Sequence, residues 1–295
     1  MNEITQYSIE NAYHKAIKYA KSHYENFPVV SFLIPKELKK HIAIIYWFAR
    51  IADDFSDEGH YSEGERLEKL NEFELDFKNS LRGKPQNEYH FALSTTIQEK
   101  NLTPAYFYDL LKAFKQDVIT NRYKDFNDIL NYCKYSANPV GRLILELFNV
   151  SGDNAGAYSD QICTALQLTN FMQDTMIDYE KGRIYLPQDE MQKFDVTEKL
   201  FEEKQKSLNL KLLVKYNVDR IQSIFNEGKG LYLFLQGRLK REIGWTVRGG
   251  EEILGQIRKN DYDIISHRPE LGKIRMAFLL LQLLLKKDGP GKADI

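Results

Sequence analysis

Cysteine is scarce in this sequence, with two residues in a chain of 295. Cys133 and Cys163 both lie in apolar, helix-like patterns, and their spacing does not resemble that of a zinc site. We therefore expect two buried thiols, since an unpaired cysteine often behaves as a small apolar side chain. Nothing in the sequence requires a disulfide scaffold or an oxidising compartment.

Long hydrophobic segments are also missing. The longest apolar run, residues 276–285, is too short to cross a bilayer, which takes about 20 residues. Residues 1–13 contain no apolar core of a secretory signal, so we predict a cytoplasmic protein. The apolar run has two interpretations: a helix packed on the core, which we favour, or a peripheral contact with a membrane surface, because basic residues flank the run on both sides.

An excess of charge of either sign is absent too, because the formal net charge is -1. No global field draws in nucleic acid or anionic lipid, and we expect no nucleic-acid partner. An anionic substrate would have to be held by a local site or by metal ions.

Proline is infrequent, and residues 36–84 and 188–268 contain none. Both stretches carry apolar residues at helical spacing, and no convincing strand pattern occurs elsewhere. Pro139 is expected to kink a helical segment over about 127–148, and Ser159 could cap a helix running to Gly182. The sequence therefore predicts an all-α protein with about a dozen helices, forming a single domain over residues 1–295.

One polar stripe stands out on an otherwise apolar helix, residues 46–58. Tyr46, Arg50, Asp53 and Asp57 fall on one face, while their neighbours are largely apolar and predict burial. Two carboxylates four residues apart repel each other, and burying them without a counter-charge is costly. Mg²⁺ resolves this conflict, because it takes oxygen ligands. The alternative is a solvated acidic helix end.

A second stripe has the same character. In residues 167–187, Gln167, Asn170, Asp174 and Asp178 share one face of another apolar helix. Two such helices facing each other across a cavity could hold a cluster of Mg²⁺ ions with a diphosphate between them. Two unrelated surface features are the less favoured alternative.

A site of this kind suits the ionisation of a prenyl-type diphosphate. The C–O bond breaks, and the charge of the leaving group must be neutralised as it develops. The carbocation must then be shielded from random water by apolar and aromatic walls. The chain has 18 tyrosines, 17 phenylalanines and 2 tryptophans from which such walls could be built.

These segments resemble the squalene/phytoene synthase family over nearly the whole chain, from about residue 23 to residue 269. The matching segments are 23–27, 33–35, Arg50–Asp57, Tyr132 with Val140-Gly141, Gln167–Asp178 and Gly182–Pro187. The resemblance implies a single all-α isoprenoid synthase domain, a trans-prenyltransferase-like helical bundle around a central cavity. It also implies a cluster of Mg²⁺ ions that bridges the diphosphate between the two aspartate motifs.

The resemblance further implies roles for particular residues. The metal and diphosphate ligands would be Asp53, Asp57, Asn170, Asp174 and Asp178. The substrate-binding residues would be His23, Phe27, Arg50, Gln167, Asn170 and Arg183. The residues around the reacting centre would be Tyr46, Tyr132 and Tyr185. We add Asn138 as a fourth catalytic candidate, because its amide could position the quenching water.

Three segments depart from the carotenoid-forming members: Tyr24–Phe27, Ala137–Gly141 and Asn170–Asp174. Together they resemble the hydroxysqualene synthase branch of the hopanoid pathway. That branch converts presqualene diphosphate and water to hydroxysqualene and diphosphate without NADPH. The enzyme alternative is head-to-head condensation of two farnesyl or geranylgeranyl diphosphates to presqualene diphosphate, dehydrosqualene, squalene or phytoene. A chain-elongating prenyltransferase and a non-catalytic helical or lipid-binding scaffold are less favoured.

The same departures suggest where water is handled. Asn26, Asn138 and Gln173 each bring an amide, which has donors and an acceptor, and none adds a charge. We hypothesise that at least one of them positions the water that quenches the cation. The structural alternatives are that Asn138 satisfies the backbone opened by Pro139 and that Gln173 bonds a neighbouring helix.

Overall fold

The computed structural model describes residues 6–22 and 31–285, and over these ranges the chain forms fourteen α-helices and one 3-10 helix, with no β-strand. The predicted all-α fold is therefore confirmed. Internal contacts divide the chain into two compact units, residues 1–119 with 142–151, and residues 120–141 with 152–295. The single domain inferred from the sequence stays a prediction.

The first unit is built around one long apolar helix. Its helices are α1 (Gln6–Ser22), α2 (Lys36–Asp57), α3 (Glu63–Leu81), α4 (Glu88–Lys100), α5 (Ala105–Ile119) and the C-terminal part of α7 (Asn138–Leu147). Helix α2 packs against α1, α3, α4 and α5. Phe48 of α2 is fully buried, and its ring lies 5.0 Å from that of Phe73 and 5.3 Å from that of Phe107. This core fixes α2, whose last turns carry the first polar stripe.

The second unit is built around α8. Its helices are α6 (Phe126–Ser136), the first turn of α7, α8 (Ala155–Gln173), α9 (Thr175–Glu180), α10 (Gln188–Lys193), α11 (Lys199–Glu202), α12 (Leu208–Gly228), a 3-10 helix (Lys229–Leu233), α13 (Gly237–Lys259) and α14 (Lys273–Leu285). Helix α8 packs against α6, α12, α13 and the 3-10 helix. A Cβ atom at Gly228 would lie 2.9 Å from the backbone nitrogen of Ile162. Only glycine therefore allows α12 to approach α8 this closely.

The sequence predicted two features of helix boundaries, an interruption at Pro139 and a helix start at Ser159. The expected interruption at Pro139 is confirmed, because α6 ends at Ser136 and α7 begins at Asn138. The capping role expected for Ser159 is wrong: α8 begins at Ala155, and Ser159 is buried inside it. The Ser159 hydroxyl lies so near Gly141 that a Cβ there would collide with it, so Ser159 contributes to close helix packing rather than to a helix start.

The cysteines follow the sequence interpretation in part. Cys133 is fully buried and Cys163 is half-buried, and they are not joined in a disulfide. Burial raises the pKa of the Cys133 thiol to about 12. Cys133 therefore stays protonated and unreactive at neutral pH.

Helix α14 has two different faces. Met276, Leu279 and Leu283 are buried, and the Trp245 indole of α13 donates a hydrogen bond to the Met276 carbonyl at 3.0 Å. On the other face Ile274 is 89 % exposed, and Phe278 is exposed as well. Within residues 6–22 and 31–285, none of the helices has the length and apolar character needed to cross a membrane.

Candidate active site

The first carboxylate pair lies on the last turns of α2, with an arginine beside it. Arg50 Nη1 is 3.3 Å from Asp53 Oδ2, and Arg50 Nη2 is 2.9 Å from Asp54 Oδ1. Tyr46, Arg50, Asp53 and Asp57 all lie on α2, at the spacing of the predicted stripe. The expected burial is only partly right: Trp47 is buried, but the Asp53 side chain is 39 % exposed.

This end of α2 is electrostatically unfavourable for carboxylates. The C-terminal end of a helix carries partial negative charge from its unpaired carbonyl groups, so acidic side chains there repel it. Arg66 of α3 offsets part of this, because its guanidinium donates to the carbonyls of Phe55, Glu58 and Gly59 at 2.9–3.3 Å. Arg50, which lies beside Asp53 and Asp54, offsets a further part.

A tyrosine missed by the sequence analysis reaches the same helix end. The Tyr19 hydroxyl of α1 donates to Asp54 Oδ2 at 3.3 Å, and the Tyr19 ring lies 6.4 Å from the Tyr46 ring. No motif marks Tyr19, because the contact arises only when α1 packs along α2. Asp54 is therefore engaged by both Arg50 and Tyr19.

The second carboxylate pair spans the junction of α8 and α9. Asp174 lies between the two helices, so the helix predicted to run from Ser159 to Gly182 is interrupted. The backbone hydrogen bonds nevertheless continue across the junction, from Asp174 N to Asn170 O and from Asp178 N to Asp174 O, both at 2.8 Å. Asn170, Asp174 and Asp178 therefore keep the helical spacing of the predicted stripe. Asn170 is exposed, while Gln167, Asp174 and Asp178 are half-buried.

An arginine far along the chain reaches this second stripe. Arg268 Nε donates to Asp174 Oδ1 at 2.5 Å, across 94 residues of sequence. The pair is partly exposed, with 41 % of the Arg268 side chain and 29 % of the Asp174 side chain accessible. Arg268 was not predicted as a site residue, because a single arginine in the loop between α13 and α14 has no local signal in the sequence.

The segment after α9 is fixed by backbone hydrogen bonds. Gly182 has a φ of 81°, which ends the helix in a left-handed turn that favours glycine. Arg183 N donates to Asp178 O at 2.7 Å, and Ile184 N donates to Asn121 O at 3.0 Å. Arg122 donates to Gly182 O at 2.7 Å. These bonds hold residues 182–184 beside Asp178.

Four aromatic rings form a cluster next to that segment. Tyr185 stacks on Phe171 at a centroid distance of 3.8 Å and lies 5.9 Å from Tyr132 and 5.6 Å from Tyr123. Two of the rings, Tyr132 and Tyr185, were predicted for the reacting centre, and the structure brings them together. Tyr123 and Phe171 were missed, although Phe171 lies inside the second aspartate motif.

The amides considered for water have different surroundings. Asn138 Oδ1 accepts a hydrogen bond from the Thr164 hydroxyl at 3.0 Å. Gln173 is buried, and its Nε2 donates to the Pro269 carbonyl at 2.7 Å. His23, Asn26 and Phe27 lie outside the described residues.

The predicted site residues fall into two groups. Tyr46, Arg50, Asp53 and Asp57 lie in the first unit, and Tyr132, Asn138, Gln167, Asn170, Asp174, Asp178, Arg183 and Tyr185 lie in the second. The expectation that the two aspartate pairs face each other stays a prediction. In the described part of the chain, no group of three or more His, Cys, Asp or Glu side chains is arranged to hold a metal ion.

The helical fold is that of the all-α isoprenoid synthases. A structure of squalene synthase HpnC from Alicyclobacillus acidocaldarius matches it with a TM-score of 0.81 at 33 % identity, over 88 % of this chain and 97 % of that one. The pattern of the squalene/phytoene synthase family matches residues 20–275, and the chain belongs to this family of enzymes.

Individual relatives fall on both sides of the alternatives that the sequence left open. A hydroxysqualene synthase of Zymomonas mobilis is 35 % identical over 242 residues, which is 80 % of each chain. A 15-cis-phytoene synthase of Synechococcus elongatus is 26 % identical over 278 residues, which is 88 % of each chain. The similar proteins thus include both a hydroxysqualene synthase and a phytoene synthase.

Proposed function

We propose that the chain converts presqualene diphosphate and water to hydroxysqualene and diphosphate, in the pathway to squalene and hopanoids. The observation that carries this proposal is the 35 % identity to a hydroxysqualene synthase over 80 % of each chain. The departures at residues 137–141 and 170–174 from the carotenoid-forming pattern point the same way.

The residues present fit Mg²⁺ as the cofactor. Asp53, Asp57, Asp174 and Asp178 offer only carboxylate oxygens, which are the ligands that Mg²⁺ prefers. Asp53 and Asp57 also lie at the negative end of a helix, where a cation is stabilising. When bound, Mg²⁺ would neutralise negative charge on the departing diphosphate.

The protein's own residues would then act on the diphosphate and on the cation. Arg50, Arg183 and Arg268 supply positive charge for the diphosphate oxygens as the C–O bond breaks and its electron pair leaves with the diphosphate. The rings of Tyr132, Phe171 and Tyr185 offer π faces and exclude bulk water from the cation. A water oxygen then forms the new C–O bond and loses a proton. No hydride is transferred, so the reaction requires no NADPH.

Of the amides considered for water, Asn138 is the better candidate. Its acceptor oxygen is bonded to Thr164, which leaves its NH₂ group to donate to water. Gln173 instead uses its NH₂ group on the Pro269 carbonyl, which favours the structural alternative for this residue. We therefore propose Asn138 as a residue that orients the quenching water.

The substrate distinguishes the proposal from condensation. The purified chain should be given Mg²⁺ with presqualene diphosphate, farnesyl diphosphate or geranylgeranyl diphosphate, and the products should be identified by mass spectrometry. We expect hydroxysqualene from presqualene diphosphate. In isotope-labelled water, the hydroxyl group of the product should carry the labelled oxygen. Efficient formation of presqualene diphosphate, dehydrosqualene, squalene or phytoene from the shorter diphosphates would instead identify a condensing enzyme.

We further propose that the outer face of α14 makes transient contact with a lipid bilayer surface. The exposed Ile274, Phe278 and Leu281 support this, and the substrate and product of the proposed reaction partition into lipid. Co-sedimentation with phosphatidylglycerol liposomes should fall for Ile274→Glu/Phe278→Glu. Leu233→Glu removes another exposed apolar side chain of the same unit and should bind normally. Equal binding by both variants would contradict the contact.

A further inference from the structure

The α13–α14 loop, residues 260–272, is attached to the second unit at two consecutive residues. The Gln173 side chain, at the end of α8, is 2 % exposed and donates to the Pro269 carbonyl at 2.7 Å. The Gln256 side chain, on α13, donates to the Glu270 carbonyl at 3.0 Å and accepts from the Glu270 amide at 3.1 Å. Two glutamine side chains from different helices thus hold adjacent peptide groups.

The first half of the same loop is also ordered. Asp263 Oδ1 accepts from the amides of Ile265 and Ser266, each at 3.0 Å, and its carboxylate pairs with Lys206 at 2.7 Å. Desolvation of Asp263 opposes its ionisation, yet these partners lower its pKa to about 2. Hydrogen bonds therefore hold the backbone of the loop both before and after Arg268.

Arg268 directly precedes the attached residues, and its guanidinium lies on Asp174. An arginine side chain has several rotatable bonds, and ordering it costs conformational entropy. Fixing the backbone beside it, where Pro269 also restricts φ, reduces the number of places that the guanidinium can reach. Gln173 is next to Asp174 in sequence, so one helix end holds both the carboxylate and the backbone that carries its partner.

We propose that Gln173 and Gln256 are positioning residues that hold the α13–α14 loop so that Arg268 stays at the diphosphate end of the second aspartate motif. This inference rests on the proposed function, because it takes a diphosphate as the anion that Arg268 serves. Neither glutamine has to touch the substrate. Their effect on diphosphate binding should therefore pass entirely through Arg268.

A double-mutant cycle tests this dependence. Gln173→Met keeps the length and unbranched shape of the side chain but removes the donor, and Arg268→Ala removes the guanidinium. The measured quantity is the dissociation constant of inorganic diphosphate in the presence of Mg²⁺, by titration calorimetry on the purified full chain. We expect Arg268→Ala to weaken binding about tenfold and Gln173→Met roughly three- to tenfold. The double variant should bind no more weakly than Arg268→Ala alone.

A control variant and a second attachment sharpen the test. Thr175→Val removes a buried hydroxyl next to Asp174 that donates to the Phe171 carbonyl in the last turn of α8, so it should leave the dissociation constant within about twofold. Gln256→Met removes the other attachment of the loop. It should weaken diphosphate binding when Arg268 is present and have no further effect in the Arg268→Ala variant. In steady-state assays the glutamine variants should raise KM for the diphosphate substrate more than they lower kcat. If Gln173→Met does not fold, Gln256→Met alone completes the cycle.

The outcomes separate this inference from the proposed function. If the wild-type chain binds Mg²⁺-diphosphate and the effects of the glutamine and arginine variants multiply, the positioning role is wrong while the function stands. Unchanged binding in both glutamine variants would likewise overturn the positioning role alone. If the wild-type chain neither binds Mg²⁺-diphosphate nor releases diphosphate from a prenyl substrate, the proposed function fails and this inference fails with it.

Discussion

Replacing Asp174 by alanine should separate catalysis from folding. The variant removes a carboxylate that we propose as a Mg²⁺ and diphosphate ligand. Loss of such electrostatic stabilisation raises the barrier by about 4 kcal/mol, which corresponds to a decrease of about 10³-fold in kcat/KM. Asp53→Ala should have a similar effect, because the proposal gives both aspartate pairs the same role.

The cost to stability follows from the contacts of Asp174. Its carboxylate pairs with Arg268, and both side chains are partly exposed, at 29 % and 41 %. A partly exposed ion pair contributes about 1 kcal/mol or less. For a protein of this size that shift changes Tm by about 2–4 °C at most. The variant should therefore fold normally while losing almost all activity.

The assay is Mg²⁺-dependent release of diphosphate, read beside a thermal melt of each variant. Asp219→Asn is a matched control, since Asp219 is an exposed residue of α12 that pairs with Lys215 at 2.6 Å and belongs to neither aspartate motif. The control should keep near-wild-type activity with a similarly small change in Tm. Near-wild-type diphosphate release by Asp174→Ala or Asp53→Ala would refute the metal assignment.

Three further predictions concern packing, pH and product. Gly228→Ala should lower the free energy of unfolding, measured by urea denaturation, by about 1–3 kcal/mol. Gly255 has open space around it, so Gly255→Ala should raise the free energy of unfolding by about 0.5–1 kcal/mol. Burial lowers the pKa of His41 and His90 to about 4. Because the unfolded chain binds these protons at higher pH than the folded chain, the free energy of unfolding should fall by about 1–3 kcal/mol per histidine as the pH drops from about 6.5 to 4. A urea-unfolding midpoint that does not change over that range would contradict this. Asn138→Ala should continue to release diphosphate but divert product towards dehydrated hydrocarbon or rearranged alcohols, and an unchanged product ratio would exclude its role with water.

Helical periodicity was enough to predict the all-α fold and both polar stripes. Residues 46–58 and 167–178 carry side chains at fixed helical spacing, so a local pattern predicts which of them share a face. The interruption at Asp174 was not predictable from that pattern, and it did not disturb the spacing because the backbone hydrogen bonds continue through it.

The parts of the site that the sequence analysis missed depend on long-range packing. Tyr19 reaches Asp54 only through the packing of α1 on α2, and Arg268 reaches Asp174 across 94 residues. The burial predicted for the carboxylates was also too high, since the Asp53 side chain is 39 % exposed. Apolar neighbours show that a helix is buried, but they do not show how deeply each polar side chain at its end lies.

The close approach of α12 to α8 has a consequence for how relatives of this chain could diverge. A Cβ at residue 228 would collide with the backbone nitrogen of Ile162, so the close packing of α12 on α8 at this point depends on glycine. The polar stripe of α8, from Gln167 to Asp174, thus lies on a helix that is packed against α6, α12, α13 and the 3-10 helix by residues outside the stripe. Substitutions on this stripe can therefore change the chemistry without changing how α8 packs.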